Sequence, residues 1–246
     1  MNKLQTKCKA IIDCFLANHP VVTTELNYQT PFQLLVATIL SAQCTDKRIN
    51  QVTPKLFNVF PTAQAMSKAS FEEVYELIAS VSYPNNKAKH LIAMAQGLME
   101  NFGGEVPQSV DELVTLSGVG RKTANVMCAV LWNQPTMPVD THVFRVSERI
   151  GFTHGSKSPA QTEKELLKII PTEFMVRMHH WLLLHGRYVC KARKPNCEAC
   201  FIKDWCDFYH QKENGRKRNF SYQKSCKYLN GIKFVYHSLC VTKELP

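Results

Sequence analysis

The chain has 246 residues, 45% of them hydrophobic, and its 30 Lys and Arg outnumber 20 Asp and Glu. That apolar content excludes a disordered protein and is enough to bury one large core or two modest ones. The net charge of +10 favours a polyanionic partner, nucleic acid first, and no run reaches the ~18 uninterrupted apolar residues of a bilayer span, so no membrane association is expected.

The first predicted element lies at 10–17, apolar but interrupted by Asp13. It is too short to cross a bilayer and no small-residue cleavage pattern follows it, so it predicts a helix rather than a signal peptide. A cytoplasmic protein is expected, nucleoid-associated if bacterial. In a reducing compartment ten cysteines read as thiols and metal ligands rather than disulfides. Cys8, Cys14, Cys44, Cys128, Cys226 and Cys240 are scattered, as packing or surface thiols are.

Apolar residues then recur at helical spacing: Phe71, Val74, Tyr75 and Ile78 mark one face, and Leu91, Met94, Ala95, Leu98 and Phe102 another. Ser70 with Glu73, Ser109 with Glu112, and Thr162 with Glu165 have the S/T-x-x-E form, in which side chain and backbone satisfy each other's free donors, and predict three helix N-termini. Breakers at Pro20, Pro31, Pro54, Pro61, Pro84, 103–107, Pro135, Pro138 and Pro171 predict short, globularly packed helices and exclude a long coiled coil. The fold class expected is all-α, without internal repeats.

The stretch Leu116-Ser117-Gly118-Val119-Gly120-Arg121-Lys122-Thr123-Ala124-Asn125 follows a predicted helix at 110–115 and opens another reaching about Trp132. Gly118 and Gly120 permit a tight reversal whose backbone N–H groups cradle a phosphate at the positive end of the second helix. Lys122 falls in the first turn of that helix, where the dipole disfavours a positive charge. The misfit points to function, either as an amine nucleophile or as a phosphate contact. In Pro138-Val139-Asp140-Thr141-His142-Val143-Phe144-Arg145, Asp140 reads either as the N-cap of the next helix or as a carboxylate presented to a cleft, and His142 is assigned no catalytic task.

Cys190-x6-Cys197-x2-Cys200-x5-Cys206 places four thiols in one short segment, a strong metal-site pattern. Zinc sites commonly pair two C-x2–4-C knuckles, and only one is present here, so the spacing leans toward an iron–sulfur centre. Lys191, Arg193 and Lys194 lie between the first two ligands, giving a positively charged loop suited to a phosphate backbone. Residues 211–246 carry Lys212, Arg216, Lys217, Arg218, Lys224, Lys227, Lys233 and Lys243 against Glu213 and Glu244, and read as a basic C-terminal extension.

Together Ser41-Ala42-Gln43, the 116–124 hairpin, Val139-Asp140-Thr141-His142, His185-Gly186-Arg187-Tyr188 and the four-cysteine cluster resemble the endonuclease III family of helix-hairpin-helix DNA glycosylases with AP lyase activity, over about residues 1–210. The resemblance implies a six-helix barrel at 22–133 and a [4Fe–4S] cluster domain formed by 1–21 and 134–210, flanking a DNA-binding cleft. It implies a monomer acting on double-stranded DNA that contains damaged bases or abasic sites. Lys122 would be the Schiff-base nucleophile and Asp140 its partner, removing oxidised pyrimidines and cutting 3′ to the abasic site by β-elimination. Gln43 would fill the space left by the flipped nucleotide, and Gly118 and Gly120 would hold the adjacent phosphate. Where the family commonly carries Gly-Leu-Tyr-Asn this chain has Ser82-Tyr83-Pro84-Asn85, which makes Tyr83 the expected wedge, and Ser117 stands in place of the hairpin's usual proline. Two other readings are a monofunctional mismatch glycosylase, which needs no lysine nucleophile, and a non-catalytic DNA-binding redox sensor.

Overall fold

A computed structural model describes residues 2–214, so the expected extension lies outside the described residues from 215 onward, as do Cys226 and Cys240. The described residues are helical, with no strand among them. The helices are α1 (Lys3–Asn18), α2 (Pro31–Leu40), α3 (Asp46–Val59), α4 (Ala63–Ser67), α5 (Phe71–Ile78), α6 (Pro84–Phe102), α7 (Val110–Leu113), α8 (Arg121–Trp132), α9 (Thr141–Ile150), α10 (Pro159–Ile169) and α11 (Met175–Tyr188). None is long and apolar enough to cross a membrane.

The sequence Phe32-Gln33-Leu34-Leu35-Val36-Ala37-Thr38-Ile39-Leu40 is apolar almost all round, and a helix of that kind is stable only when sheathed by others. All nine residues of this run are buried in α2. Its two polar members are satisfied: Thr38 Oγ1 donates to Leu34 O at 2.8 Å, and Gln33 accepts from Gln29 N at 2.8 Å. The core built on α2 collects Leu56 from α3, Val74 and Ile78 from α5, Leu91, Met94 and Leu98 from α6, Leu113 from α7, and Ala124, Met127 and Cys128 from α8. Burying each leucine contributes about 2 kcal/mol.

A second core joins the two ends of the chain. Cys8, Ile11, Ile12 and Phe15 of α1 pack with Val143, Val146 and Ile150 of α9, Leu166 of α10, and Met178, Trp181 and Leu182 of α11. Phe15 stacks on Trp181 with centroids 5.2 Å apart, and the Trp181 indole N–H donates to His19 O at 2.8 Å.

Three expectations need correction or adjustment. Pro54 does not break a helix but sits inside α3, where the buried Ile49, Val52, Thr53 and Leu56 on the opposite face offset the lost backbone hydrogen bond. Thr162 does not begin a helix: α10 starts three residues earlier, capped by Ser158 with Pro159 in its first turn, and Thr162 is buried with its hydroxyl donating to Ser156 Oγ at 2.8 Å. The helix expected at 110–115 is a single turn, α7, with Thr115 in the following turn. Ser70 and Glu73 form the reciprocal cap as expected, whereas Glu112 reaches the Ser109 hydroxyl, 2.7 Å away, while the hydroxyl caps Glu112 N.

Candidate active site and metal centre

The hairpin between α7 and α8 turns at Gly118, whose φ of 76° is the left-handed region that favours glycine. A Cβ there would meet His90 Cβ of α6 at 2.9 Å, so the turn is seated against α6 and only glycine fits. Gly120 is the N-cap of α8 and supplies no side-chain cap, which leaves the first amides of the helix without a side-chain partner. Lys122 follows in the first turn and is exposed.

Lys122 lines a cleft of about 850 Å³. The same cleft is lined by Gln43 from the turn after α2, Asp140 and His142 from the start of α9, and His179, His180 and Arg187 from α11. Asp140 is the N-cap of α9: its Oδ1 accepts from His142 N and Val143 N, both at 2.8 Å. Oδ2 has no hydrogen-bond partner among the described residues, so the two readings of Asp140 are compatible. His142 Nδ1 lies 3.2 Å from the Arg145 guanidinium.

His179 and His180 carried no functional signal in the sequence. Burial, then the charges of His180 and Lys122, push the His179 imidazole well below its ordinary value, and the ring lines the same cleft as the lysine. At the cleft mouth Arg187 pairs with Glu25 and, at 2.7 Å, with Asp46, and the Tyr188 hydroxyl donates to Glu25 at 2.7 Å. Burial opposes the Arg187 charge, but the two carboxylates hold it above its ordinary range. These pairs tie α11 to the segment before α2 and to the start of α3, and only a fold brings such distant residues together.

Tyr83, Gly118, Gly120, Lys191, Arg193 and Lys194 are not among the residues lining the cleft. Tyr83 is exposed at the N-cap of α6 with φ 55°, and Gln43 has the same φ. Lys191, Arg193 and Lys194 are exposed on the loop after Cys190. Arg149 of α9 fixes that loop by donating to Lys191 O at 2.8 Å and Ala192 O at 3.0 Å.

Cys190, Cys197, Cys200 and Cys206 are free thiols that line one common cavity with Ile150, His185 and Ile202. Four thiols on one cavity are the donor set that a thiolate-bound iron–sulfur cluster takes. Burial pushes the Cys200 thiol up to about 11 and also raises Cys206, so the thiolate form needs a cationic centre beside it. His185 Nε2 lies 3.5 Å from Cys200 Sγ, and burial followed by the nearby His19 lowers that imidazole to about 4.

A hairpin of this kind beside a lysine-bearing cleft defines a class. The family model described as "HhH-GPD superfamily base excision DNA repair protein" matches residues 36–172, and that of the "iron-sulfur binding domain of endonuclease III" matches 190–206. Relatives narrow it further. Endonuclease III of Haemophilus influenzae is 46% identical over 213 residues, 87% of this chain and 100% of that protein, and that of Escherichia coli is 46% identical over 208 residues, 85% of this chain and 97% of that protein. The solved structure "Structure of a Trapped Endonuclease III-DNA Covalent Intermediate: Estranged-Adenine Complex" superposes with a TM-score of 0.81 at 38% identity, covering 87% of this chain and 100% of that one. A thermostable thymine-DNA glycosylase, 21% identical with a TM-score of 0.74, shares the fold. The chain belongs to the endonuclease III family. It is a DNA glycosylase and AP lyase of base excision repair with a [4Fe–4S] cluster.

Proposed function

We propose that this chain removes oxidised pyrimidines from duplex DNA and cuts the strand 3′ to the resulting abasic site, with Lys122 as nucleophile and Asp140 as its partner. The observation carrying this reading is that Lys122, from the barrel side, and Asp140, from the cluster side, line one cleft of about 850 Å³. A damaged base is flipped into that cleft at reduced cost because its stacking is already weakened. Lys122 Nζ attacks C1′ of the sugar and the base leaves with its bonding electrons. Asp140 takes the amine proton or stabilises the developing positive charge; its Oδ2 is the oxygen not used in capping α9. Opening of the sugar ring, in which the C1′–O4′ bond breaks and O4′ takes a proton, gives the imine; this acidifies C2′, loss of that proton expels the 3′ phosphate, and hydrolysis of the imine releases Lys122.

The remaining residues serve binding. Gln43 fills the gap left by the flipped nucleotide, Tyr83 wedges or stacks between bases, and the amides at Gly118 and Gly120 hold the neighbouring phosphate at the start of α8. The cluster holds the Lys191, Arg193 and Lys194 loop in shape for the DNA backbone, its four ligands being Cys190, Cys197, Cys200 and Cys206. The functional units are 22–133 for the barrel and 1–21 with 134–210 for the cluster domain, and the enzyme acts as a cytoplasmic monomer on double-stranded DNA that contains damaged bases or abasic sites.

Borohydride reduction on abasic-site DNA tests the mechanism. A covalent adduct is expected in the wild type and none in Lys122→Ala; an undiminished adduct in that variant would remove Lys122 as nucleophile. Asp140→Asn should bind DNA normally and lose base release by about 10²–10⁴-fold, the usual worth of a positioned proton acceptor.

A further inference from the structure

Lys87 is a lysine with 5% exposure in the first turn of α6, where its charge opposes the helix dipole. Its partners lie in another element. Lys87 Nζ donates to Leu40 O at 2.8 Å and to Ala42 O at 2.7 Å, capping the C-terminal end of α2. A helix end leaves its last carbonyls without intrahelical partners and carries partial negative charge, so a cation from α6 satisfies both needs at once. Two further bonds hold the turn before α6: Ser82 Oγ donates to Gln43 O at 2.8 Å, and Arg48 Nε of α3 donates to Ser80 O at 3.3 Å.

The ties converge on two residues in left-handed backbone. Gln43 and Tyr83 both have φ 55°, neither is glycine, and both side chains are exposed. Such a conformation costs about 1 kcal/mol or more and persists only where surrounding bonds impose it. Here Lys87 grips the turn before Gln43, Ser82 grips Gln43 itself, and Tyr83 is the residue next to Ser82. The two strained residues therefore cannot move independently without breaking the Ser82 bond or the Lys87 bonds.

We infer that Lys87 and Ser82 are positioning residues that lock Gln43 and Tyr83 into one two-pronged wedge, so that both side chains meet the duplex as a preorganised unit. This rests on the reading of Gln43 and Tyr83 as DNA-contacting residues. Preorganisation matters because each prong, left loose, must be ordered at the moment the nucleotide is flipped. The lock serves only the opening of a duplex. It has no part in the attack of Lys122 on a sugar that is already unpaired.

That distinction supplies the test. Cleavage by the full chain is compared on a duplex containing an abasic site and on the same strand without its complement. Ser82→Ala is expected to lower kcat/KM on the duplex about five-fold, the worth of one neutral hydrogen bond, and to leave single-strand cleavage unchanged, while Ser82→Thr, which keeps the hydroxyl, retains duplex activity. Lys87→Met, which deprives two carbonyls of their donor, should show a larger duplex-selective loss; the Ser82 pair remains decisive if that variant folds poorly. An unchanged duplex rate in Ser82→Ala, or an equal loss on both substrates, would overturn the lock. Gln43→Ala and Tyr83→Ala separate the two levels of argument. If neither alters duplex cleavage, the DNA-contact reading fails and the lock with it; if both do and Ser82→Ala does not, only the lock fails.

Discussion

In the barrel half, nine consecutive residues of α2 are buried and a continuous apolar core runs from Leu26 to Cys128. The cluster half combines a smaller core with four free thiols around a cavity, the Lys7–Asp207 ion pair at 2.7 Å, and three buried histidines on α11. Both halves combine packing with specific polar contacts, and the second adds the four thiols that share a cavity. Lys122 stands on α8, which packs in the first core, and Asp140 caps α9, which packs in the second, so the cleft is lined from both.

The largest effect expected from this contrast follows loss of the cluster. Cys200→Ser should abolish the iron–sulfur chromophore and strip amide-exchange protection from α1 and α9–α11 while α2–α8 stay protected. Uniform loss across both halves would mean that they unfold as one unit. If the cluster shapes the Lys191–Lys194 loop for the DNA backbone, as proposed, the same variant should lose DNA affinity before any effect on imine formation. A single core deletion, Leu35→Ala, should cost about 2–5 kcal/mol, read as a lower denaturation midpoint, with protection lost first in α2–α8.

How much of this contrast was legible in the sequence depended on the range of each constraint. The four cysteines that share a cavity, the Gly118–Gly120 turn and the N-cap at Asp140 are set by residues within a few positions, so spacing reveals them. The sequence places the helix start at Thr162 because Glu165 completes the S/T-x-x-E form, but Thr162 and Leu166 are buried within the helix, and Ser158 with Pro159 at the first helical position opens it. Pro54 was read as a breaker because sequence shows the missing donor but not the apolar face packed opposite it. Lys87 on the end of α2, Glu25 and Asp46 on Arg187, and His179 with Lys122 in one cleft lining join residues 45 to 162 positions apart. No local pattern encodes those contacts.

Acid should separate the halves more gently than mutation. His179 and His180 of α11 are pushed below their ordinary value, chiefly by burial, whereas α2–α8 carry only the exposed His90. A folded-state pKa below the unfolded one means that the unfolded chain takes up protons first. The stabilisation is therefore complete above about pH 6.5, the unfolded value, and is lost as pH falls toward the folded values. Unfolding midpoints should drop between pH 7 and pH 5, with exchange protection failing first in α11. His180→Gln, which keeps a donor for Val176 O, 2.9 Å from the imidazole, should flatten that slope; an unchanged slope would assign it to other groups.

The smallest effect is the most discriminating at the cleft itself. Asp140 caps α9 through Oδ1 and carries the proposed chemistry through Oδ2. Asparagine caps a helix as well as aspartate does, whereas alanine forfeits the cap at a cost of about 1 kcal/mol. Asp140→Asn should therefore match the wild type in thermal unfolding and Asp140→Ala should fall a few degrees below it, while both lose base release to a similar extent. If activity tracked stability instead, with Asn nearly as active as Asp, the carboxylate would be a cap alone. The proton-accepting role would then pass to another residue lining the cleft, with His179, whose imidazole burial keeps neutral, the first to test.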